Sequence, residues 1–454
     1  MIDVKNISNF YFLGIGGIGM SALARFFRKE GKYVAGYDKT RSALTRKLEE
    51  EGLDIHYQDD VNNIPAKIIE DKNSLIVYTP AIPEENQEMA YFNQSPFVMI
   101  KRARVLGYLS REYKTLAVAG THGKTSISTM LAHLMQYGDD KAHAFLGGIA
   151  ANYDTNYIHA GNSPFMVVEA DEFDRSFHQL KPAASIISVI DADHLDIYRN
   201  KEGLVHAFDE FAGLNSDFIL KRYDTRINAG PEKIFTYALN DERADYYASD
   251  LKKSGLCYEF SLNAGHEKIE NIRMAVPGLL NVENMVAALA MARMQGVKPL
   301  QLQKAVAEFR GIKRRFEIIL QNKNSVYIDD YAHHPEEIKR TLESIRALFP
   351  GKKITGIFQP HLYSRTRDFA DEFAKSLDKL DQCILLPVYP AREEAIPGVN
   401  AEMIAKRMSV RQVKLMEKDE LIPYLRIEKP EILLSLGAGD IDRLVNDIKN
   451  SLDE

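Results

Sequence analysis

The sequence lacks the features that mark several large classes of protein. Its two cysteines, Cys257 and Cys383, are far apart and do not have the spacing of a zinc site or a disulfide framework. No apolar run approaches the roughly 18 residues of a transmembrane helix, and no low-complexity tract is present. The N-terminus enters a strand without a leader of basic, apolar and small residues. These absences predict a cytoplasmic globular protein that does not insert into a membrane.

The charge balance excludes another class. The 58 basic and 64 acidic residues give a formal net charge of −6 and are well mixed along the chain. A nucleic-acid-binding surface needs a basic excess, so a nucleic acid is not expected as the main partner. What is present is a long chain of 454 residues, 45% hydrophobic and 27% charged. At about 150 residues per domain, this length predicts about three globular domains.

Segments that look like strands and helices alternate in the first and last thirds of the chain. In the first third, a buried-strand pattern over 10–14 precedes a helical pattern over 21–30 and a second strand over 33–38. The alternation resumes at residue 326, and one later helix is expected over 366–377. Alternation of this kind predicts parallel, doubly wound α/β sheets.

The middle third predicts a different arrangement. A new strand is expected over 115–119, and residues 234–276 alternate apolar and polar side chains in a way typical of antiparallel strands. The basic segment 311–317 begins with glycine and is interpreted as a linker. We therefore expect an α/β protein of three domains, with a Rossmann-like domain over 1–106, a central domain over 107–312 and a second Rossmann-like domain over 313–454.

A glycine-rich turn lies where the first strand gives way to the first helix. Glycines there allow a tight turn whose amides approach a diphosphate at the positive end of the helix. Asp38 ends the second strand, where such folds hold a ribose hydroxyl. The alternative is a tight turn that binds no ligand. The strand before the turn, the helix after it and Asp38 together favour a bound nucleotide diphosphate, which need not be a dinucleotide. The turn reads Gly14-Ile-Gly-Gly-Ile-Gly19 and presents Gly14, Gly16, Gly17, Ile18 and Gly19.

A second turn between a strand and a helix reads Gly120-Thr-His-Gly-Lys-Thr125. In a phosphate loop, small residues point their amides inward, a lysine reaches the outer phosphates and a hydroxyl holds magnesium. Lys124 and Thr125 suit the last two roles. The turn lacks the earlier glycine of the full phosphate-loop pattern. A chance Gly-Lys-Thr is the alternative, and the first glycine turn in the same chain argues against it.

Acidic clusters follow two later strands. Glu169-Ala-Asp-Glu172 comes directly after the apolar run 165–168, and Glu169 is best placed to complete a magnesium site. Asp191-Ala-Asp-His-Leu-Asp196 follows another buried strand and puts His194 at the same predicted edge. The alternatives are a solvated acidic loop and a structural or surface histidine. A histidine ligand would be unusual for magnesium, which prefers oxygen.

The last third carries histidines and arginines at the ends of its strands. Asp329-Asp-Tyr-Ala-His-His-Pro335 precedes a helix, and His361-Leu-Tyr-Ser-Arg-Thr-Arg367 follows the next strand. Open α/β sheets bind ligands at the carboxyl ends of their parallel strands. The forked donors of Arg365 and Arg367 suit a carboxylate or a phosphate. The paired histidines have an alternative interpretation as a simple helix N-terminal turn.

Taken together, these segments resemble the Mur ligase family of cell-wall enzymes over nearly the whole chain. Each segment is weakly specific alone, and their order and content together are highly specific. The resemblance implies a UDP-sugar domain, a central ATPase domain and a Rossmann-like C-terminal domain that binds the amino acid and closes over ATP. The segments that carry it are Gly14 to Met20, Gly120 to Thr125, Glu169 to Glu172, Ala192 to His194, Asn281 to Asn284, Arg314 to Glu317, Asp329 to Pro335 and Phe358 to His361.

The resemblance implies an ATP-dependent carboxylate-amine ligase. ATP would phosphorylate the carboxylate of UDP-N-acetylmuramate, and the amine of L-alanine would attack the acyl phosphate, an early step of peptidoglycan synthesis. Magnesium, Lys124 and His333 would offset the repulsion between the two anions. By resemblance, ATP is assigned to Gly120, Thr121, His122, Gly123, Lys124, Thr125, Ser126, Asn281, Asn284, Arg315 and Asp330. The resemblance assigns the UDP-sugar to Gly14, Gly16, Gly17, Ile18, Gly19, Asp38, Thr79 and Ala81. It assigns the amino-acid or muramoyl carboxylate to His361 and Arg365, and the metals to Thr125, Glu169 and His194. The residues that it assigns to catalysis are Lys124, His194, His333 and Arg365.

Three other functions stay open at this point. A ligase that attaches a recycled murein tripeptide to UDP-N-acetylmuramate would share both phosphate sites, although the segment from Phe358 to Arg365 looks more like the members that add L-alanine. An NAD-dependent oxidoreductase would leave Lys124 unexplained. A regulatory phosphate-loop ATPase would leave the first glycine turn unexplained. Two departures from the family also stand: Leu362 lies where relatives often carry arginine, and residues 205–211 show no counterpart of the modified lysine that holds a second magnesium.

Overall fold

The computed structural model describes residues 4–191, 198, 201–391, 393–410 and 412–453. Contacts divide the chain into two units, Met1–Val276 with Leu280–Arg310, and Pro277–Leu279 with Gly311–Glu454. The first unit contains two β-sheets and the second contains one. Parallel strand pairs predominate in all three sheets, which confirms the predicted α/β fold class.

The first sheet has five parallel strands with helices on both faces. Its strands are β1 Asn9–Leu13, β2 Tyr33–Tyr37, β3 Asp54–His56, β4 Ser74–Tyr78 and β5 Val98–Lys101, and its helices are α1 Ile18–Lys29, α2 Ala43–Glu50, α3 Ala66–Glu70, α4 Gln87–Gln94 and α5 Arg102–Leu109. The strand order is β3-β2-β1-β4-β5. The central strand β1 is buried along its whole length, as expected for a strand covered on both faces.

The second sheet has ten strands in the order β15-β14-β13-β12-β11-β10-β6-β9-β7-β8. These strands are β6 Lys114–Ala119, β7 Ala142–Ala150, β8 Thr155–Ile158, β9 Phe165–Glu169, β10 Ala184–Ile187, β11 Phe218–Arg222, β12 Ile234–Ala238, β13 Tyr246–Ser254, β14 Cys257–Ala264 and β15 Glu267–Met274. Its helices are α6 Lys124–Met135, α7 Lys201–Ala212, α8 Leu279–Met294 and α9 Pro299–Glu308. The antiparallel prediction for 234–276 is confirmed for β13 to β15 and wrong for β12, which pairs in parallel with both of its neighbours.

Helix α1 packs against strands β7 and β8 of the second sheet. The ring of Phe26 lies 5.6 Å from that of Phe145 and 5.8 Å from that of Tyr157. Nearby, the Asn156 amide donates to the Ser21 hydroxyl at 2.9 Å. Because α1 begins at the glycine turn, this contact fixes the turn relative to the second sheet within the same unit.

The second unit is built on a six-stranded sheet in the order β16-β17-β21-β18-β19-β20, parallel except for the β16 edge. Its strands are β16 Glu317–Gln321, β17 Val326–Asp330, β18 Ile354–Phe358, β19 Gln382–Leu385, β20 Val413–Leu415 and β21 Ile432–Leu436. Its helices are α10 Pro335–Leu348, α11 Tyr363–Asp368, α12 Ala370–Leu377, α13 Ala401–Ala405, α14 Lys418–Glu428 and α15 Val445–Asp453. The single helix predicted over 366–377 is wrong, because Phe369 leaves the helical region at φ −119° and ψ 22° and separates α11 from α12.

Among the described residues, no helix is both long enough and apolar enough to cross a membrane.

A buried carboxylate on α4, Glu88, contacts the first sheet and gives the fold a measurable pH dependence. The side chain of Glu88 is fully buried, the Tyr11 hydroxyl donates to its Oε2 at 2.5 Å, and Nε2 of His56 lies 3.4 Å from its Oε1. Burial raises the pKa of Glu88 to about 7, although the hydrogen bond from Tyr11 acts in the opposite direction. The folded protein therefore holds this proton more tightly than the unfolded chain does.

A Glu88→Gln variant should lose that pH dependence. A raised carboxyl pKa contributes stability that is full below the unfolded pKa and is lost as the pH rises through about 7. Between about pH 5 and pH 8, the free energy of unfolding of the wild type should fall by about 3 kcal/mol more than that of the variant. Urea unfolding at several pH values measures this difference. Glu85→Gln, at an exposed position, is the control, and equal pH slopes in all three proteins would contradict the prediction.

Candidate active site

The glycine turn of the first sheet forms as the sequence predicts. The amides of Gly14 and Ile15 donate to the Tyr37 carbonyl at 2.8 and 3.0 Å, and Gly17 caps the start of α1. Gly14 has φ +86°, and a Cβ there would lie 2.9 Å from Cγ2 of Thr79. The Thr79 hydroxyl faces the amide of Ala81 at 3.5 Å. The structure thus brings Thr79 to the turn, and only a residue without a Cβ fits at Gly14.

Asp38 lies against the same turn. Its Oδ2 accepts the amide of Gly16 at 2.8 Å, and its Oδ1 accepts the amide of Thr40 at 3.0 Å. A Cβ on Gly16 would lie 2.8 Å from that Oδ2. The carboxylate therefore supports the backbone of the turn, and its contact with a ribose remains a prediction.

The second turn connects β6 to α6 and is tied to the segment after β10. The Thr121 amide donates to the Val189 carbonyl at 2.7 Å, and the Ser188 hydroxyl donates to the His122 carbonyl at 2.5 Å. Gly120 and Gly123 have φ of +136° and +83°. A Cβ on Gly120 would fall 2.0 Å from the Ser188 hydroxyl oxygen, so this position is closed to other residues. The turn is a rigid loop that opens into the N-terminus of α6, where Ser126 lies in the first turn.

Lys124, the first residue of α6, points back into this loop. Its Nζ donates to the Gly120 carbonyl at 2.8 Å and to Oε1 of Glu172 at 2.8 Å. Burial alone would lower the pKa of Lys124, but the charges of Glu172, Asp171 and Glu169 outweigh it and raise that pKa. The ammonium is therefore charged and held at the mouth of the loop.

Thr125 and Glu169 meet beside Lys124. The Thr125 hydroxyl donates to Oε1 of Glu169 at 3.0 Å, and the Gly147 amide donates to the other carboxylate oxygen at 3.0 Å. A hydroxyl and a carboxylate at the edge of a phosphate loop are the oxygen donors that magnesium prefers. Within the described part of the chain, no cluster of three or more His, Cys, Asp and Glu side chains could hold a metal by itself. The chemistry of these two side chains fits magnesium, and a magnesium ion bound here would take one oxygen ligand from each of them.

Asn281 and Asn284 lie one turn apart near the start of α8. Asn284 is buried, and its Oδ1 lies 3.0 Å from the position that a Cβ on Gly123 would occupy. Asn281 lies three residues earlier, on the same face of the helix. The structure therefore brings Asn284, which the resemblance assigns to ATP, to the loop that begins α6. His194 lies outside the described residues, as does the segment 192–197.

In the second unit, a buried carboxylate ends β17. Oδ2 of Asp330 accepts the amide of Phe316 at 2.8 Å, and Oδ1 accepts the amide of Ala332 at 2.8 Å. Burial raises the pKa of Asp330 to about 6, and the charge of Arg315 opposes that shift. Arg314 and Phe316 flank Arg315 with φ of +61° and +49°. Asp330 holds the strained segment 314–316 through the Phe316 amide. This contact brings Arg315 near the carboxyl edge of the sheet.

His333 lies at the same edge, just before α10. Its Nδ1 lies 3.3 Å from Oε2 of Glu337, and the same oxygen accepts the amides of His333 and His334 at 3.0 and 3.2 Å. Burial lowers the pKa of His333 despite the nearby charge of Glu337, and Arg365 and Arg315 add to the lowering. Glu337 was not predicted as a site residue, although an acidic residue in the first turn of a helix that follows paired histidines is a signal that could have found it.

His361 and Arg365 complete the cluster. The ring of His361 stacks on Tyr389 with centroids 5.8 Å apart and lies 6.0 Å from the ring of His333. Nδ1 of His361 and Nη1 of Arg365 are buried and have no hydrogen-bond partner among the described residues. Burial, followed by the charges of His333 and Arg365, lowers the pKa of His361 to about 4. A neutral imidazole and a guanidinium with an unused donor can together receive a small ligand that carries a carboxylate.

Arg367 does not join this cluster. It is exposed, and its Nε donates to Asp368 at 2.7 Å. Tyr389 is a site residue that the sequence did not indicate, because it lies 28 residues beyond His361 and reaches it only through the pairing of two loops. Leu362, with φ +72°, sits between His361 and α11.

Three family models match the chain in order. The first, described as "Mur ligase family, catalytic domain", matches residues 9–114. The second, "Mur ligase middle domain", matches residues 118–292, and the third, "Mur ligase, glutamate ligase domain", matches residues 314–439. Together they cover most of the chain.

Curated relatives match from end to end. A UDP-N-acetylmuramate–L-alanine ligase of Parabacteroides distasonis is 45% identical, over 99% of this chain and 98% of its own length. The protein of the same name from Porphyromonas gingivalis is 45% identical over 97% of this chain and 98% of its own.

Two solved structures match nearly the whole chain. The UDP-N-acetylmuramate-alanine ligase of Thermotoga maritima superposes with a TM-score of 0.83 at 27% identity, covering 98% of this chain and 99% of its own. A murein peptide ligase of Psychrobacter arcticus superposes with a TM-score of 0.71 at 22% identity over 98% and 99% of the two chains, which supports the fold alone.

Proposed function

The chain belongs to the Mur ligase family, and from that premise we propose that it joins L-alanine to the carboxylate of UDP-N-acetylmuramate at the expense of ATP. The observation that carries this proposal is the end-to-end likeness to curated L-alanine ligases. The reaction is an early step of peptidoglycan synthesis. Because ATP and nucleotide-activated sugars are cytoplasmic metabolites, we place it in the cytoplasm.

The phosphate loop is proposed to bind ATP. Lys124 would contact the outer phosphates, because its ammonium is already held at the mouth of the loop. Thr125 and Glu169 would hold magnesium, which supplies charge neutralisation at the transferring phosphoryl group. His194 is proposed as a further metal ligand. The remaining ATP contacts are proposed for Gly120, Thr121, His122, Gly123, Ser126, Asn281, Asn284, Arg315 and Asp330.

The glycine turn of the first sheet is proposed to bind the diphosphate of the UDP-sugar. The amides at the start of α1 carry the partial positive charge that favours an anion. Asp38, whose carboxylate accepts the Gly16 amide in this turn, would accept a ribose hydroxyl. The other contacts are proposed for Gly14, Gly17, Ile18, Gly19, Thr79 and Ala81.

The cluster in the second unit is proposed to bind the amino acid. Arg365 has a buried donor without a partner among the described residues, so a carboxylate would complete its hydrogen bonding. His361 is uncharged near neutral pH and can hydrogen-bond the incoming amine or the carboxylate. His333 would stabilise negative charge that develops at the acyl phosphate.

A screen of acceptor amines tests the proposal. Phosphate release from ATP should require both UDP-N-acetylmuramate and an amine, and L-alanine should be the best acceptor. Glycine and L-serine should react more slowly, by about 10- to 200-fold in kcat/KM, because one small group is worth about 1–3 kcal/mol in an apolar pocket.

Three other results would contradict the proposal. Faster ligation of a murein tripeptide would identify a recycling ligase. Brisk ATP hydrolysis without either substrate would favour a regulatory ATPase. Reduction of NAD would indicate an oxidoreductase.

A further inference from the structure

Glu172 has no role in the functions assigned above, although it lies beside the phosphate loop. Its side chain is fully buried, and its two carboxylate oxygens lie 2.8 and 2.7 Å from Nζ of Lys124. The same Nζ donates to the Gly120 carbonyl at 2.8 Å. Lys124 donates two hydrogen bonds, one to Oε1 of Glu172 and one to the Gly120 carbonyl. Because an ammonium has three N–H donors, one donor is left for a ligand.

The backbone that carries Glu172 is itself held in place. Its carbonyl accepts the hydroxyl of Tyr198 and, at 3.0 Å, the amide of Arg175. The amide of Phe177 donates to the Asp171 carbonyl at 3.0 Å. The carboxylate therefore stands on a fixed point beside the loop, whereas the lysine that it contacts has a flexible four-carbon chain.

We propose that Glu172 is a positioning residue for Lys124, which it holds with the Gly120 carbonyl so that the remaining N–H is directed to the phosphoryl group of ATP. This inference rests on the proposed ATP site. An ammonium fixed in advance loses no further side-chain freedom when the phosphoryl group transfers, and its charge acts where the new charge develops.

Glu172 could instead oppose ATP binding by neutralising Lys124, and the two roles predict different kinetics. If Glu172 only neutralised Lys124 until ATP displaced it, removing its charge would tighten ATP binding and leave kcat unchanged. If Glu172 positions Lys124, removing its charge should lower kcat and leave the KM for ATP unchanged or lower, because the loss falls on the transition state.

The test compares Glu172→Gln, Glu172→Asp and wild type in the L-alanine-dependent release of phosphate with UDP-N-acetylmuramate. Glu172→Gln should lower kcat by about 10- to 100-fold without raising the KM for ATP, as expected for loss of one charge-assisted contact. Glu172→Asp keeps the charge one methylene further back and should recover part of that loss. Asp174→Asn is the matched control, since Asp174 is exposed, lies two residues away and has a φ of +54° that asparagine also adopts. It should behave as wild type.

A double variant tests whether Glu172 acts through Lys124. Adding Glu172→Gln to Lys124→Ala should cause no further loss of kcat, because the group that Glu172 positions is already absent. If Glu172→Gln does not fold, Glu172→Asp alone should still show a lowered kcat at unchanged KM.

An unchanged kcat in the Glu172 variants, or an equal loss in Asp174→Asn, would overturn the inference. The wild type separates this outcome from failure of the proposed function. If the wild type turns over with L-alanine and the variants match it, only the role of Glu172 is wrong. If the wild type shows no such turnover, the proposed function itself fails.

Discussion

Replacing Lys124 with alanine is expected to lower ligation by about 1,000-fold or more, the scale reported for cations that stabilise a transferring phosphoryl group. Lys124 is the cation that the phosphate loop holds at its mouth, with Nζ 2.8 Å from the Gly120 carbonyl. No other side chain of the loop carries a permanent positive charge. Phosphate release in the presence of both substrates measures the loss.

The same substitution should also destabilise the protein. It leaves the fully buried carboxylate of Glu172 without its counter-ion, which costs about 3 kcal/mol unless the carboxylate takes up a proton. The double variant Lys124→Ala with Glu172→Gln should therefore regain stability in urea unfolding and remain inactive. Lys114→Ala, at the start of the same strand β6, is the control and should keep both activity and stability. Recovery of activity in the double variant would show that Lys124 acts only on the fold.

Replacing Arg365 with alanine is expected to lower kcat/KM for L-alanine by about 100-fold or more. A bidentate or charge-assisted contact with a carboxylate contributes about 2–3 kcal/mol. The buried Nη1 of Arg365, which has no hydrogen-bond partner among the described residues, is the donor proposed to make this contact. ATP binding should change little, because Arg365 is not among the residues proposed to contact ATP. Measuring kcat/KM for L-alanine and the Kd of a nucleotide analogue separates the two effects.

Arg367→Ala is the matched control for Arg365. Arg367 lies on the same short helix α11, but it is exposed and paired with Asp368. A second readout comes from His361, whose lowered pKa has the charge of Arg365 among its causes. Arg365→Ala should move that pKa up toward the ordinary histidine value in an NMR titration. A normal kcat/KM for L-alanine in Arg365→Ala would remove this residue from the amino-acid site.

Local patterns in the sequence determined the fold class and the position of the two glycine-containing turns. Alternating strands and helices indicated parallel sheets because strand and helix periodicities differ and each element carries its own signal. The glycines at both strand-to-helix junctions likewise indicated tight turns from the local sequence alone. The structure shows that φ of +86° at Gly14 and of +136° at Gly120, with neighbours too close for a Cβ, leaves no other residue possible. The break between α11 and α12 was missed because Phe369 carries no helix-breaking signal.

Tertiary structure alone decided how the candidate site residues are paired. The sequence placed Glu169 and Glu172 in one acidic cluster, and only the packing of β9 against β6 directs Glu169 to Thr125 and Glu172 to Lys124. The stacking of His361 on Tyr389 likewise depends on two loops that are distant in sequence. The sequence sets which groups the chain contains and where each strand ends. Which carboxylate meets which cation depends on burial and on strand order, which are properties of the folded chain.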